Sequence, residues 1–393
     1  MFPLKIEKMT PEKINEFDKY FANENKEFFF EGMWFRNQRK ENVNQSDYVD
    51  EKTKRRRYLH FYNSYINDNG YFSLKNVYIY VSNTLPKEEN EKYLNRIMVP
   101  LKKNFKEVEH NVFELDDLCV YINEYDVHPK NILSQEVFPQ NYNSVDVLVT
   151  TKGYNYKPVY ERMWEHSTKM FRIPGTRQNP TYIKSLDEIK DFLPAQIEMG
   201  CGPSISAGID PLYVMHETYK VQNHHTKKFY FGDEDTFLEE FFKNPQEKLM
   251  SFSQTPLKCL KANPTEGYEA FKDLYNNGLF VGTVLNNNFD RIVSRLDIPE
   301  IILRTYQKDL YIQNINFDPR AKSLITFGCH ADRREVEKQA RAHGLKVIFI
   351  DPERFIKDGK EEKYLVEAPQ DGDFVYNKTF EEVMQEFKNF LSK

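Results

Sequence analysis

The stretch Gly200-Cys201-Gly202-Pro203-Ser204-Ile205-Ser206-Ala207-Gly208-Ile209-Asp210 constrains the fold of this chain more than any other. Two glycines flank one residue, a serine stands two places on, and a third glycine comes just before Ile209. Ahead of it lie a helical pattern, Ser185 to Phe192, and an alternating run, Ala195 to Met199, that reads as a strand. Such a loop lets backbone N–H groups approach a phosphate with no Cβ in the way, with the positive end of the next helix behind them. Turns and tight helix starts use the same residues, so the reading gains its weight from two segments further along the chain.

Those two segments are built alike. Phe280 to Leu285 is an apolar run that ends in Asn286-Asn287-Asn288-Phe289-Asp290 and leads into a short helical pattern, Arg291 to Leu296. Ser323 to Phe327 is a second strand, which stops at Gly328-Cys329-His330-Ala331-Asp332 and hands over to a helix, Arg334 to His343, capped by Gly344. The next strand, Lys346 to Ile350, ends at Asp351, with Pro352 and Glu353 after it. Strand, helix, glycine, strand and acid is the layout of a nucleotide-binding βαβ unit, in which Asp351 suits a ribose diol. Ligands of an open α/β sheet bind outside the carboxyl ends of its strands, where these polar clusters fall. His330 stands at such an end and is a candidate active-site group on that ground. Asp290 is also well placed to cap the helical run after it.

Residues from about 183 to 355 resemble the sirtuins, which consume NAD to deacylate lysines or to transfer ADP-ribose. The family's Gly-Ala-Gly-x-Ser-x-x-x-Gly-Ile is matched by Gly200, Gly202, Ser204, Gly208 and Ile209. Its Thr-Gln-Asn-Ile-Asp corresponds to Asn286 to Asp290, keeping Asn288 and Asp290. Its Gly-Thr-Ser corresponds to Gly328-Cys329-His330, and its Ile-Asn-x-Glu to Ile350-Asp351-Pro352-Glu353. The resemblance implies a Rossmann-like parallel sheet of sirtuin type with NAD as co-substrate. It implies dinucleotide contacts at Gly200, Cys201, Gly202, Ser204, Gly208, Ile209, Asp210, Asn288, Asp290, Gly328, Cys329 and Asp351. It further implies that Asn288 and Asp290 position NAD for cleavage of its glycosidic bond. That step develops oxocarbenium character, which facing carboxylate and amide dipoles stabilise.

The chain also departs from the family. Asp210-Pro211-Leu212-Tyr213 replaces Pro-Asp-Phe-Arg, which serves around the nicotinamide ribose. Where the family carries the His that acts as base, this chain has Arg304, and arginine stays protonated at neutral pH. Glycosidic cleavage needs no strong base, whereas deacylation does. The reading is therefore an enzyme that transfers ADP-ribose to water or to a protein acceptor. Two alternatives stay open: a deacylase whose base is His330 or His216, and a decayed sensor that binds NAD or ADP-ribose without turnover.

The four cysteines, Cys119, Cys201, Cys259 and Cys329, show no C-x-x-C spacing, so neither the family's structural zinc nor a disulfide framework is expected. His216-Glu217 with His224-His225 lacks His-Glu-x-x-His spacing and reads as a solvated loop. The absence of an apolar leader or a long apolar run favours a cytoplasmic protein without membrane contact. The net charge of −5 gives little general attraction for nucleic acid. Lys52 to Arg57 beside Asp50-Glu51 reads as a solvated helix face.

The length of 393 residues suggests two or three domains. Residues 1–172 read as a separate N-terminal α/β domain of unassigned role. Its elements are a helix from Thr10 to Ala22 with Thr10 as N-cap, a strand at Asn76 to Val81, a helix from Pro86 to Phe105 and a strand at Val145 to Thr150. Pro100 is expected to kink or end the second helix, and Asn111 to Asn123 suits helix or strand. Arg172 to Thr181 reads as a linker. Residues 183–393 form the sirtuin-like domain, with a helical insertion at about 213–279 that includes Thr236 to Phe242 and Gly267 to Asn276, the latter capped by Thr265. Tyr213 to Gly232 would be a mobile lid, which the resemblance suggests. No feature indicates an oligomeric state.

Overall fold

A computed structural model describes residues 4–21, 27–37, 55–130, 138–155, 177–210, 234–288, 290–303, 313–330, 332, 334–357 and 359–391. Arg304, Leu212-Tyr213, the His216 to His225 cluster, the Tyr213 to Gly232 segment and the first half of the linker lie outside these residues. The chain divides into two compact units. One comprises Met1–Lys169 with Leu212–Leu257, the other Met170–Pro211 with Lys258–Lys393. Among the described residues, no helix is long and apolar enough to cross a membrane.

Among the described residues, the first unit holds an eight-stranded antiparallel sheet. Its strands are β1 (Leu4–Lys8), β2 (Glu27–Asn37), β3 (Arg55–Ile66), β4 (Tyr71–Pro86), β5 (Lys106–Glu109), β6 (Val112–Leu115), β7 (Leu118–Tyr125) and β8 (Tyr142–Thr151). They run in the order β2-β3-β4-β8-β7-β6-β5, with β1 also paired to β4. Tight turns join β3 to β4 and β6 to β7, which makes those pairs antiparallel. The stretch Asn111 to Asn123 is thus a hairpin. Arg55 to Arg57 open β3 instead of lying on a helix: cross-strand pairing on both sides overrides the local charge pattern.

The helix Lys87–Asn104 buries Tyr93, Ile97 and Leu101 at the expected spacing of four. It runs on through Pro100, which falls near its end. The missing donor there costs one bond, and the helix stops four residues later. Thr10 caps the helix Pro11–Glu16 as expected. A buried polar network ties β4 to β8: Asp146 accepts hydrogen bonds from Tyr80 and Ser82, both at 2.6 Å, and lies 3.1 Å from His128 Nε2.

Among the described residues, the second unit holds a seven-stranded parallel sheet. Its strands are β9 (Thr181–Tyr182), β10 (Ala195–Met199), β11 (Val284–Asn286), β12 (Glu300–Ile302), β13 (Ser323–Phe327), β14 (Lys346–Ile350) and β17 (Phe374–Tyr376). A small hairpin, β15 (Arg354–Lys357) with β16 (Lys360–Lys363), stands apart from the sheet. The order is β12-β11-β10-β13-β14-β17-β9. From β10 the chain builds outward to β11 and β12, then returns to lay β13, β14 and β17 on the other side. That is the doubly wound arrangement, and its switch point lies between β10 and β13.

The faces follow from alternation. Leu324, Val347 and Phe349 pack with Val336 and Ala340 of the helix Val336–Ala342 in one core. Their neighbours face the other way, where Phe327 meets Phe380 at 5.2 Å between ring centroids, and Phe280 meets Phe271 and Phe387. Besides Phe327 of β13, those rings belong to the helices Glu266–Asn276 and Phe380–Leu391 and to the segment before β11. Thr265 caps the first of these helices through the Tyr268 N–H and donates its hydroxyl to Glu381 at 2.6 Å. Thr265→Ala is therefore expected to cost about 1 kcal/mol for the cap alone, and more because Glu381 loses a partner. Urea unfolding of the two proteins checks this, and a loss within error would refute it.

Candidate functional site at the switch point

The glycine loop leaves β10 directly into the short helix Cys201–Ser206, with Gly200 as its N-cap. Beside it, β13 ends in Gly328, at φ +63°. The two loops touch backbone to backbone. A Cβ on Gly200 would fall 2.3 Å from the Gly328 carbonyl oxygen, and one on Gly328 would fall 2.4 Å from the Gly202 nitrogen. No side chain fits either position, because the obstructing atoms are main chain. The contact is held by ladder-like bonds that continue past the strand ends: Gly200 N–H to Phe327 O at 2.8 Å and Gly328 N–H to Ile350 O at 3.0 Å.

The polar cluster after β11 reaches into this crevice. Asn286 turns the chain by accepting the Asn288 N–H at 2.8 Å, and the Asn288 side-chain amide donates to the Gly200 carbonyl. Asp290 is 2% exposed; its carboxylate accepts from Ser204 Oγ at 2.5 Å and from the Ile292 N–H at 2.9 Å. Burial pushes this carboxyl up from the ordinary range, against the Ile292 and Ser204 hydrogen bonds that pull it down. The expected helical run after Asp290 is a single 3-10 turn, Val293–Leu296, and Asp290 closes the approach to it. Ile209 is buried, Gly208 takes φ +85° in open space, and Asp210 pairs with Lys258.

A second group lies over β14. Asp351, 4% exposed, accepts from the Tyr364 hydroxyl at 2.5 Å and from the Glu353 N–H at 2.7 Å. Burial pushes its carboxyl up and Tyr364 offsets part of that. His330 stands beside Tyr364, ring centroids 5.4 Å apart, with its Nε2 3.4 Å from Glu367. Its side chain is 45% exposed. The structure thus gathers Gly200, Cys201, Gly202, Ser204, Asn288, Asp290, Gly328 and Cys329 at the switch point. Asp351 and His330 form a neighbouring group.

Sequence reasoning missed the floor of the crevice. On β10, Ala195, Ile197 and Met199 alternate with Gln196 and Glu198, and Glu198 pairs in register with Thr326 of β13. Glu198 therefore lies on the same side as the helix Val336–Ala342, which supplies Glu337, with Asp332 and Arg334 from the loop between. Asn287 links the strands: it donates to Glu198 Oε1 at 2.7 Å and accepts from Arg334 Nη1 at 2.8 Å. The other Glu198 oxygen has no hydrogen-bond partner among the described residues. Burial first, and then the Asp332 charge, push the Glu198 carboxyl up to about 8. Burial and the Glu198 charge push Glu337 up as well. The signal was present as a carboxylate set inside Ala-Gln-Ile-Glu-Met, where all five residues are buried.

Among the described residues, no group of three or more His, Cys, Asp or Glu side chains is arranged to hold a metal ion. No family model and no curated protein matches the chain. Two solved structures are similar to part of it. One is a Sir2 protein with a p53 peptide and NAD+, at 14% identity and a TM-score of 0.34, covering 53% of this chain and 99% of that one. The other is a Sir2 homologue point mutant in complex with ADP-ribose, at 15% identity and a TM-score of 0.33, covering 50% of this chain and 93% of that one.

Proposed function

We propose that the second unit binds NAD across the switch point and cleaves the nicotinamide–ribose bond, passing ADP-ribose to water or to a protein acceptor. The observation that carries this reading is the bare main-chain contact between Gly200–Gly202 and Gly328, at the carboxyl ends of the strands where the order reverses. A pyrophosphate needs backbone N–H groups without intervening side chains, and this is where a doubly wound sheet offers them. Asn288, tied to the Gly200 carbonyl, is the group we assign to the reacting ribose. Asp290 holds Ser204 and the turn beneath it, so its part in the reaction is to position that loop. Asp351, at the end of β14, is assigned to a ribose diol. Zinc plays no part in this reading.

Asn288→Ala is expected to lower nicotinamide release at least a hundredfold while ADP-ribose still binds. Release measured by chromatography and binding measured by calorimetry separate the two effects. Undiminished release from Asn288→Ala would sink the catalytic assignment.

One observation favours a second reading. The pairing of His330 with Glu367 at 3.4 Å is how a carboxylate orients an imidazole base. If His330 serves the ribose hydroxyls, the protein is a deacylase, and nicotinamide is released only when an acetyl-lysine peptide is supplied.

A further inference from the structure

Cysteine occupies the position between the two glycines of the first loop and the position after the glycine of the second. Met199 and Phe327 are the last register partners of the parallel pair β10 and β13, so Cys201 and Cys329 come two steps later on adjacent, touching chains. Cys201 opens the helix Cys201–Ser206 and Cys329 follows the left-handed Gly328, so the backbone contact of the two loops, and not the strand ladder, brings the two cysteines together. The loops stay close past the strand ends. A Cβ on Gly200 would fall 2.9 Å from the Cys329 nitrogen, and Cys201 Sγ lies 3.7 Å from the Gly328 carbonyl oxygen. Of the four cysteines only Cys201 is exposed; Cys119, Cys259 and Cys329 are buried.

We propose that Cys201 and Cys329 form a reversible disulfide that staples the two glycine loops together when the protein meets a hydroperoxide. The exposed Cys201 thiol gives up its proton and its sulfur attacks hydrogen peroxide: an S–O bond forms, the O–O bond breaks, and the departing hydroxide takes up the thiol's proton and leaves as water. Cys201 is then a sulfenic acid, and the peroxide has been reduced by two electrons. The sulfur of Cys329 attacks that of Cys201, the S–S bond forms, and hydroxide departs with the Cys329 proton as a second water. Burial keeps the Cys329 thiol protonated and away from peroxide, so oxidation begins at Cys201 and the pair reacts in that order. A disulfide from Cys201 would sit beside the bare Gly200–Gly202 backbone to which the pyrophosphate is assigned above and would compete with it. This last consequence rests on the function proposed above, whereas the disulfide does not.

The test is a peptide map of the full-length wild-type protein after hydrogen peroxide, alkylated without reduction and read by mass spectrometry. The expected result is a linked peptide pair carrying Cys201 and Cys329, abolished by dithiothreitol, with Cys119 and Cys259 alkylated only after unfolding. Overoxidation of Cys201 to the sulfinic acid while Cys329 stays a free thiol would overturn the proposal, as would a thiol at Cys201 that survives peroxide. Because the wild-type map decides, the outcome does not depend on a variant folding. ADP-ribose binding to the reduced and oxidised forms is measured alongside, with at least a tenfold loss expected on oxidation. Unchanged affinity would remove the regulatory consequence. Absence of binding to the reduced form would count against the proposed function, leaving the disulfide to stand or fall on the map.

Discussion

Glu198→Gln is expected to stabilise the protein more with each step up in pH. In the unfolded chain Glu198 titrates near 4.5, and in the folded one it is pushed up to about 8. Between those values the native state holds a proton that the unfolded state has lost, so wild-type stability falls as pH rises through the window. Below it both states are protonated and the penalty is absent; above it the full cost of a buried carboxylate is present. Each pH unit of the window is worth about 1.4 kcal/mol, which sets the whole effect on the order of 5 kcal/mol. Glutamine keeps the shape and still accepts from Asn287, but it has no charge to bury. Denaturant unfolding at about pH 5 should find the two proteins within about 1 kcal/mol, and at about pH 9 should find the variant clearly more stable. A constant gap between them across that range would show that Glu198 is ionised in the native protein throughout.

The second large effect belongs to Gly328→Ala. Its φ of +63° costs an L-residue about 1 kcal/mol. The added Cβ would also lie 2.4 Å from the Gly202 nitrogen and 2.5 Å from its Cα. Main chain cannot swing aside as a side-chain tip can, so the loops must separate, and overpacking adds about 1–3 kcal/mol. Gly208→Ala is the control: its φ of +85° carries the same conformational cost, yet nothing lies within 4 Å of the new carbon. Gly328→Ala should therefore lose at least about twice as much stability as Gly208→Ala. Equal losses would mean that the loop contact is slack.

Local elements were legible because their causes are local. The alternation of Ala195 to Met199, the apolar runs ending at Phe327 and Ile350, the caps Thr10 and Thr265, and the fourfold spacing of Tyr93, Ile97 and Leu101 each act within one or two turns. The strand–glycine–helix succession also made the doubly wound class legible. What closes the site was not legible. Ser204 meets Asp290 across 86 positions, and Asn287 meets Glu198 across 89. Neither pairing has a periodicity to betray it. The charged Arg55 to Arg57 gave no strand pattern, because β3 is specified by its partners β2 and β4. Glu198 was readable only as an anomaly: one acid within a buried strand at the point where ligands bind.

The measurement that bears most directly on the proposed function is incubation of the purified wild-type protein with NAD, following free nicotinamide and ADP-ribose, with and without an acetyl-lysine peptide. The expected result is nicotinamide release without peptide, accompanied by ADP-ribose or by a modified protein acceptor. Saturable NAD binding with no release under either condition would contradict it.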